Sequence, residues 1–165
     1  MQYSTNKLAL AGVLSSALII ILSYSLHELI DSRVENWRLI LNLGQYFVVL
    51  AGIVVAGRIL RNDVPQPYLV STVAVLLSWS TSFLLSVTRL VASNAPEGFH
   101  LAIQIPLSLL IASVMFYVSN KFLNHLSISK FKKVSMAIVL VFIWTMVCAM
   151  ARLLIDRLVA TQLLE

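Results

Sequence analysis

The residues with the greatest potential for chemistry form the segment HELID, which runs from His27 to Asp31. This segment resembles the zinc-binding pattern HExxH, in which two histidines one helical turn apart bind the metal and the glutamate acts as the base. Asp31 stands where the second histidine belongs. An aspartate also ligates zinc, but no clear further ligand follows in the sequence, and we therefore expect no metal site.

Haem is the second chemistry to consider, since it would need imidazoles on facing helices. His27 and His100 are expected on the same side of the membrane, whereas His125, the remaining histidine, is expected on the other. We predict no cofactor. The chain also lacks GxSxG, P-loop and GxGxxG motifs and has a single cysteine, Cys148, so we expect a protein that is not an enzyme. An intramembrane enzyme that uses His27, Glu28 and Asp31 remains an alternative.

Uncharged polar residues recur at helical spacing inside two apolar segments. Four serines of one segment fall within an arc of roughly 80° at about 100° per residue, and an amide and a serine share one face of the next. Polar side chains in hydrocarbon turn toward protein or water, so the stripes predict either close helix packing or the wall of a polar path. The candidate path residues are Ser71, Ser78, Ser82, Ser86, Gln104 and Ser108. Pro106 should kink the helix beside Gln104.

Charged residues and histidines collect near the ends of the apolar segments, on what we expect to be one side of the membrane. We predict an ion-pair and hydrogen-bond cluster in which Arg89 and Arg152 face Glu28 and Asp31. The alternative is that these groups are solvated helix ends. The full candidate cluster is His27, Glu28, Asp31, Arg89, Glu97, His100, Arg152 and Asp156.

The elements that must position these residues are apolar helices. Of the 165 residues, 59% are hydrophobic and 12% are charged, against about 25% charged in soluble domains. A helix crosses the hydrocarbon core with about 20 apolar residues. The sequence therefore predicts one all-α transmembrane domain with short loops and about five spans, at residues 8–26, 37–57, 68–88, 101–120 and 134–151.

The charge distribution predicts the orientation of these spans. With the N-terminus in the cytoplasm, all five lysines fall on the cytoplasmic side, as the positive-inside rule favours. This places the C-terminus outside, and short loops fit a bacterial inner membrane. Basic residues are too dispersed for nucleic-acid binding despite the net charge of +5. A loop with Lys121, Lys130, Lys132 and Lys133 is an orientation signal, or alternatively a contact for anionic lipid or an acidic partner.

Function is predicted mainly from size. Five short helices should enclose little interior volume, so we expect a non-enzymatic membrane component that associates with itself or with other membrane subunits. Gly52 and Ala56 form a small-xxx-small pair that favours close helix packing. The alternative is a pore or transport module for a small polar solute or ion, lined by the third and fourth spans.

Overall fold

The computed structural model describes residues 5–30, 36–85, 99–125 and 129–162, with the backbone alone at positions 83, 85, 99, 100 and 158–162. The regular elements in these ranges are all α-helices, which confirms the prediction of an all-α fold. Such runs of apolar residues become helical in lipid because a helix satisfies every backbone polar group within its own segment. The helices are α1 (Thr5–Leu29), α2 (Trp37–Leu60), α3 (Pro67–Leu85), α4 (Phe99–His125) and α5 (Lys130–Gln162).

Four of these helices are long and apolar enough to cross a membrane, and they fit an integral membrane protein. They are Thr5–Leu29, Trp37–Leu60, Leu101–His125 and Lys130–Arg157. The predicted count of five spans is not confirmed. The predicted third span, 68–88, corresponds to α3, and its last residues, 86–88, fall outside the described part of the chain.

The first four helices form a closed ring. α1 packs against α2 and α4, and α3 packs against the same two helices from the opposite side. Consecutive helices run in opposite directions, so the start of α1 lies beside the α2–α3 connection, where the Lys7 ammonium pairs with both carboxylate oxygens of Asp63 at 2.9 Å. We call this side of the bundle the Lys7 end and the opposite side the His27 end.

The two halves of the ring differ in packing. Toward the Lys7 end the interior is filled by side chains with almost no exposure, among them Leu8, Ala11, Leu60, Val70 and Leu123. Here α1 and α4 make their closest approach at Gly12, where an added Cβ atom would lie 2.8 Å from the Ser113 Cα atom. Toward the His27 end the interior opens into a cavity, which is described below.

Helix α5 lies outside the ring and packs against α3. Polar contacts between described residues join these helices. The Trp144 indole N–H donates to the Thr81 hydroxyl at 3.0 Å, and the Ser80 and Thr145 hydroxyl oxygens lie 2.9 Å apart. The remaining circumference of α5 exposes large apolar side chains, including Phe142 and Met150, as a lipid-facing helix would.

Candidate functional site

A cavity of about 640 Å³ occupies the His27 half of the ring. Its wall includes residues of α1, α2, α3 and α4. Along α1 it extends from Ser15 to His27, which corresponds to about 18 Å at the helical rise of 1.5 Å per residue. The floor is closed by Ala112 and by Phe116, whose side chain is fully buried. The volume is within the range of about 300–1,000 Å³ typical of small-molecule pockets.

The structure brings four of the six candidate path residues onto the wall of this cavity. Ser78 and Ser82 of α3 line it together with Gln104 and Ser108 of α4. Ser71 is not among the lining residues. It is fully buried near the Lys7 end of α3, where its hydroxyl donates to the Pro67 carbonyl oxygen at 2.7 Å. The sixth candidate, Ser86, lies outside the described residues.

Other wall residues were not among the candidates, because the sequence prediction considered only the third and fourth spans. Ser15, Ser16 and Ser23 of α1 line the cavity, and so does Gln45 of α2. Ser23 donates a hydrogen bond of 2.9 Å to the Gln45 side-chain oxygen. The rule that polar side chains in hydrocarbon face protein or water would have found Gln45, which lies in the middle of an apolar helix.

Three serine hydroxyls of the wall donate their hydrogens within their own helices. Ser78 donates to the Ala74 carbonyl oxygen at 2.6 Å, Ser82 to that of Ser78 at 3.0 Å, and Ser15 to that of Gly12 at 3.2 Å. Such bonds to a preceding turn are common for serine in helices. Because the hydrogens are used, these hydroxyl oxygens face the cavity as acceptors. The side-chain amides of Gln45 and Gln104 add further hydrogen-bonding groups to the wall.

Gln104 has an unsatisfied group at the cavity. Its side-chain oxygen is buried and has no hydrogen-bond partner among the described residues. A buried polar atom without a partner costs about 1–3 kcal/mol, and such atoms merit a specific explanation. A hydrogen-bond donor bound in the cavity would remove this cost once the amide turned toward it.

The wall carries little charge. Among its described residues the titratable side chains are Tyr24 and His27, and both are exposed at the rim. The interior therefore combines apolar surface with neutral hydrogen-bonding groups. Because a charged ligand would lose its hydration there without gaining an opposite charge, the chemistry of the wall favours uncharged molecules.

The rim shows where the cavity opens. Among the described lining residues, those that are also exposed belong to α1 and α4 and not to α2 or α3. They are Ile21, Tyr24, Ser25 and His27 of α1 and Ile105 of α4. Tyr24 is 62% exposed and Ile105 is 39% exposed. Since α1 and α4 touch closely at Gly12, we infer from these exposed lining residues that the opening lies where the same two helices face each other nearer the His27 end.

The candidate charge cluster is only partly within the described residues. Asp31, Arg89 and Glu97 lie outside them, and the side chain of His100 is likewise not described. In the part that is described, the Arg152 Nε atom pairs with the Asp156 carboxylate on its own helix at 2.8 and 2.9 Å.

No ion pair joins Arg152 to Glu28 within the described ranges. α5, which carries Arg152, packs on α3, and Glu28 is exposed at the end of α1. Arg152 instead borders a second, largely apolar cavity of about 460 Å³ between α3 and α5. Because Asp31, Arg89 and Glu97 lie outside the described residues, the predicted cluster stays a prediction.

The HELID segment forms the last turn of α1 and the residues after it. His27 and Glu28 are exposed, and Asp31 falls outside the described residues. In the described part of the chain no group of three or more His, Cys, Asp and Glu side chains is placed to hold a metal ion. Lys121, Lys130, Lys132 and Lys133 all lie toward the Lys7 end, at the end of α4 and the start of α5.

The candidate packing residues lie in the helix interfaces. Gly52 and Ala56 are both buried, and a Cβ atom at position 52 would lie 2.6 Å from the tip of the Ile19 side chain. Trp79 makes an edge-to-face contact with Tyr46, at 6.5 Å between ring centroids. The helices of the ring are thus held at close distance by small residues and aromatic contacts.

Comparison with known proteins finds no match to this chain among family models, curated proteins or solved structures.

Proposed function

We propose that the protein is a membrane-embedded transport module that binds a small, uncharged, hydrogen-bonding molecule in the cavity of the α1–α4 ring. The observation that carries this proposal is the wall of the cavity, where Ser78, Ser82, Gln104 and Ser108 converge. Helix packing alone would bury these groups against neighbouring helices. Here the four residues line about 640 Å³ of space.

The proposal includes a direction of access. With all five helices spanning the membrane and the N-terminus in the cytoplasm, the cavity faces the outer side and its floor faces the cytoplasm. Lysines at the Lys7 end would then meet the anionic inner surface of a bacterial plasma membrane. Binding and movement of a molecule need no catalytic group, and the protein in this proposal is not an enzyme.

A transport test uses purified protein in liposomes with glycerol as the smallest polyol probe. We expect glycerol influx above that of empty liposomes, and at least about tenfold less of that excess with Ser82→Leu or Gln104→Leu. Ser135→Leu is the matched control, because Ser135 is exposed on α5 away from the cavity. Influx that responds equally to all three substitutions, or to none, contradicts the proposed path.

A second function is supported by α5. This helix packs only on α3 among the major helix contacts and exposes apolar side chains around the rest of its surface. We propose that this surface contacts another membrane subunit or a second copy of the chain when the protein acts within a complex. Native mass spectrometry after gentle extraction tests this, since a monomer bound only to lipid would contradict it.

A further inference from the structure

We infer that the molecule bound in the cavity is an uncharged amphiphile with a hydroxyl-bearing head group, and that it enters from the lipid through the opening between α1 and α4. This inference rests on the proposed use of the cavity as a binding site and names the class of ligand. It is carried by three observations: the position of the opening, the division of the wall into polar and apolar surface, and the unsatisfied oxygen of Gln104.

The opening lies in the side of the ring as well as near its end. Ile105 is one helical turn inside the α4 segment that is apolar enough to span a membrane, and it is both a lining residue and 39% exposed. The exposed face of a spanning helix contacts lipid. A molecule that passes between Ile105 and the α1 residues of the rim therefore comes from the hydrocarbon side of the interface.

The wall suits a molecule with an apolar and a polar part. Ile19, Ile20, Val75, Leu101 and Phe116 supply apolar surface, which would cover an alkyl chain. The hydroxyls of Ser15, Ser78 and Ser82 donate to their own helices, and their oxygens can accept from a donor on the ligand.

Thr81 shows this arrangement already in use. Its hydroxyl donates to the Leu77 carbonyl oxygen at 2.8 Å and accepts the Trp144 indole N–H at 3.0 Å. Ser78 and Ser82 have the same internal bond, and a ligand hydroxyl would take the place that the indole has at Thr81.

Gln104 completes the description of the head group. Its buried oxygen requires a donor and its amide N–H groups require an acceptor, and a hydroxyl provides both. The described lining residues include no Asp, Glu, Lys or Arg, which disfavours a carboxylate or phosphate at this position. The head group is therefore a neutral alcohol or polyol.

Four probes separate the features of such a ligand. Monoolein has a diol head and one acyl chain, methyl oleate has the same chain without a donor, oleate has the chain with an anionic head, and glycerol has the head without the chain. We expect saturable binding of monoolein to the detergent-purified protein by native mass spectrometry. Methyl oleate and oleate should bind at least about tenfold more weakly, because each lacks a group that the wall requires.

Variants of the wall and of the opening then test the site. Gln104→Leu and Ser108→Leu should each raise the Kd for monoolein about tenfold, with no change for Ser135→Leu. Ile105→Trp narrows the opening and should lower the association rate of monoolein, while an unchanged helical circular dichroism signal and unfolding midpoint check that the variant folds. Ile138→Trp, on the exposed face of α5, is the matched control.

The outcomes distinguish this inference from the proposed function. Glycerol influx that depends on Ser82 and Gln104, without monoolein binding, keeps the proposed function and overturns the amphiphile. Equal binding of monoolein and methyl oleate overturns the hydroxyl head group, and an unchanged association rate in Ile105→Trp overturns access through the side. Monoolein binding that is insensitive to Gln104→Leu and Ser108→Leu overturns the amphiphile in the cavity, because the cavity is then not its site, and the proposed function is decided by the glycerol influx of the same variants.

Discussion

The close approach of α1 and α4 at Gly12 makes a quantitative prediction for Gly12→Ala. The added methyl would lie 2.8 Å from the Ser113 Cα atom and 2.9 Å from the carbonyl carbon and oxygen of Ala112. These are backbone atoms, which do not rotate away as a side chain does. Because ordinary van der Waals contact begins at 3.4 Å, α1 and α4 must separate by about 0.6 Å.

The cost of this separation follows from overpacking, which destabilises proteins by about 1–3 kcal/mol. Alanine is the better helix former by about 0.5–1 kcal/mol, which offsets part of the loss. We therefore expect Gly12→Ala to lower the free energy of unfolding by about 0.5–2 kcal/mol. Equilibrium unfolding in mixed detergent and SDS micelles, followed by the helical circular dichroism signal, measures the difference.

Gly52→Ala and Gly44→Ala are the matched controls. Their new methyl groups would meet the tips of the Ile19 and Leu26 side chains, at 2.6 and 2.5 Å. Side-chain tips move at lower cost, so both controls should lose less stability than Gly12→Ala. A Gly12→Ala protein that is as stable as the wild type would refute the close backbone contact, and with it the closed floor of the cavity.

Three further predictions concern the floor, the attachment of α5 and the Lys7 end. Phe116→Ala should destabilise the protein by about 3–5 kcal/mol in the same unfolding assay. Phe142→Ala should have little effect, because Phe142 is 61% exposed. Equal losses of stability in the two variants would contradict the packed floor. Thr81→Val should lower the free energy of unfolding by about 0.5–1.5 kcal/mol. Adding Trp144→Phe should lower it little further, because one hydrogen bond joins the two side chains. Fully additive losses in the double variant would argue against that bond. Asp63→Asn should change the free energy of unfolding by less than about 1 kcal/mol, and high salt should remove this difference. A larger loss that does not depend on salt would contradict an exposed ion pair between Lys7 and Asp63.

Sequence periodicity located part of the site because the helices are regular. Ser78, Ser82, Gln104 and Ser108 repeat at intervals of four residues, and this spacing keeps each pair on one face of its helix. In a lipid environment polar side chains turn toward the interior of the protein. The helix face that carries these residues is therefore the face that lines the cavity. The small size of the chain led us to expect little interior volume. The ring instead contains a cavity of about 640 Å³.

Relations between helices were harder to predict. The proposed pairing of Arg152 with Glu28 required α5 to lie beside α1, and the structure places α5 against α3. Nothing in the apolar surface of α5 specifies which helix it contacts. The contact depends instead on Ser80 and Thr81, whose spacing alone does not indicate a partner. Gly12 was likewise overlooked, because a single glycine shows its role only when the facing backbone is known.

The closure of the ring has a consequence for biosynthesis. The contact between α1 and α4 joins positions far apart in sequence, as in the 3.5 Å approach of the Ser113 hydroxyl to the Ala9 carbonyl oxygen across 104 residues. At a rate of synthesis of ~5–20 residues per second, α4 emerges about 5–20 s after α1. During this time the polar faces of α1 and α3 have no ring around them. Because Ser15 and Ser78 donate their hydrogens to their own helices, these two hydroxyls meet lipid without an unsatisfied donor. These neutral serines can therefore remain in the membrane until α4 is inserted, because their hydroxyl hydrogens need no acceptor from another helix.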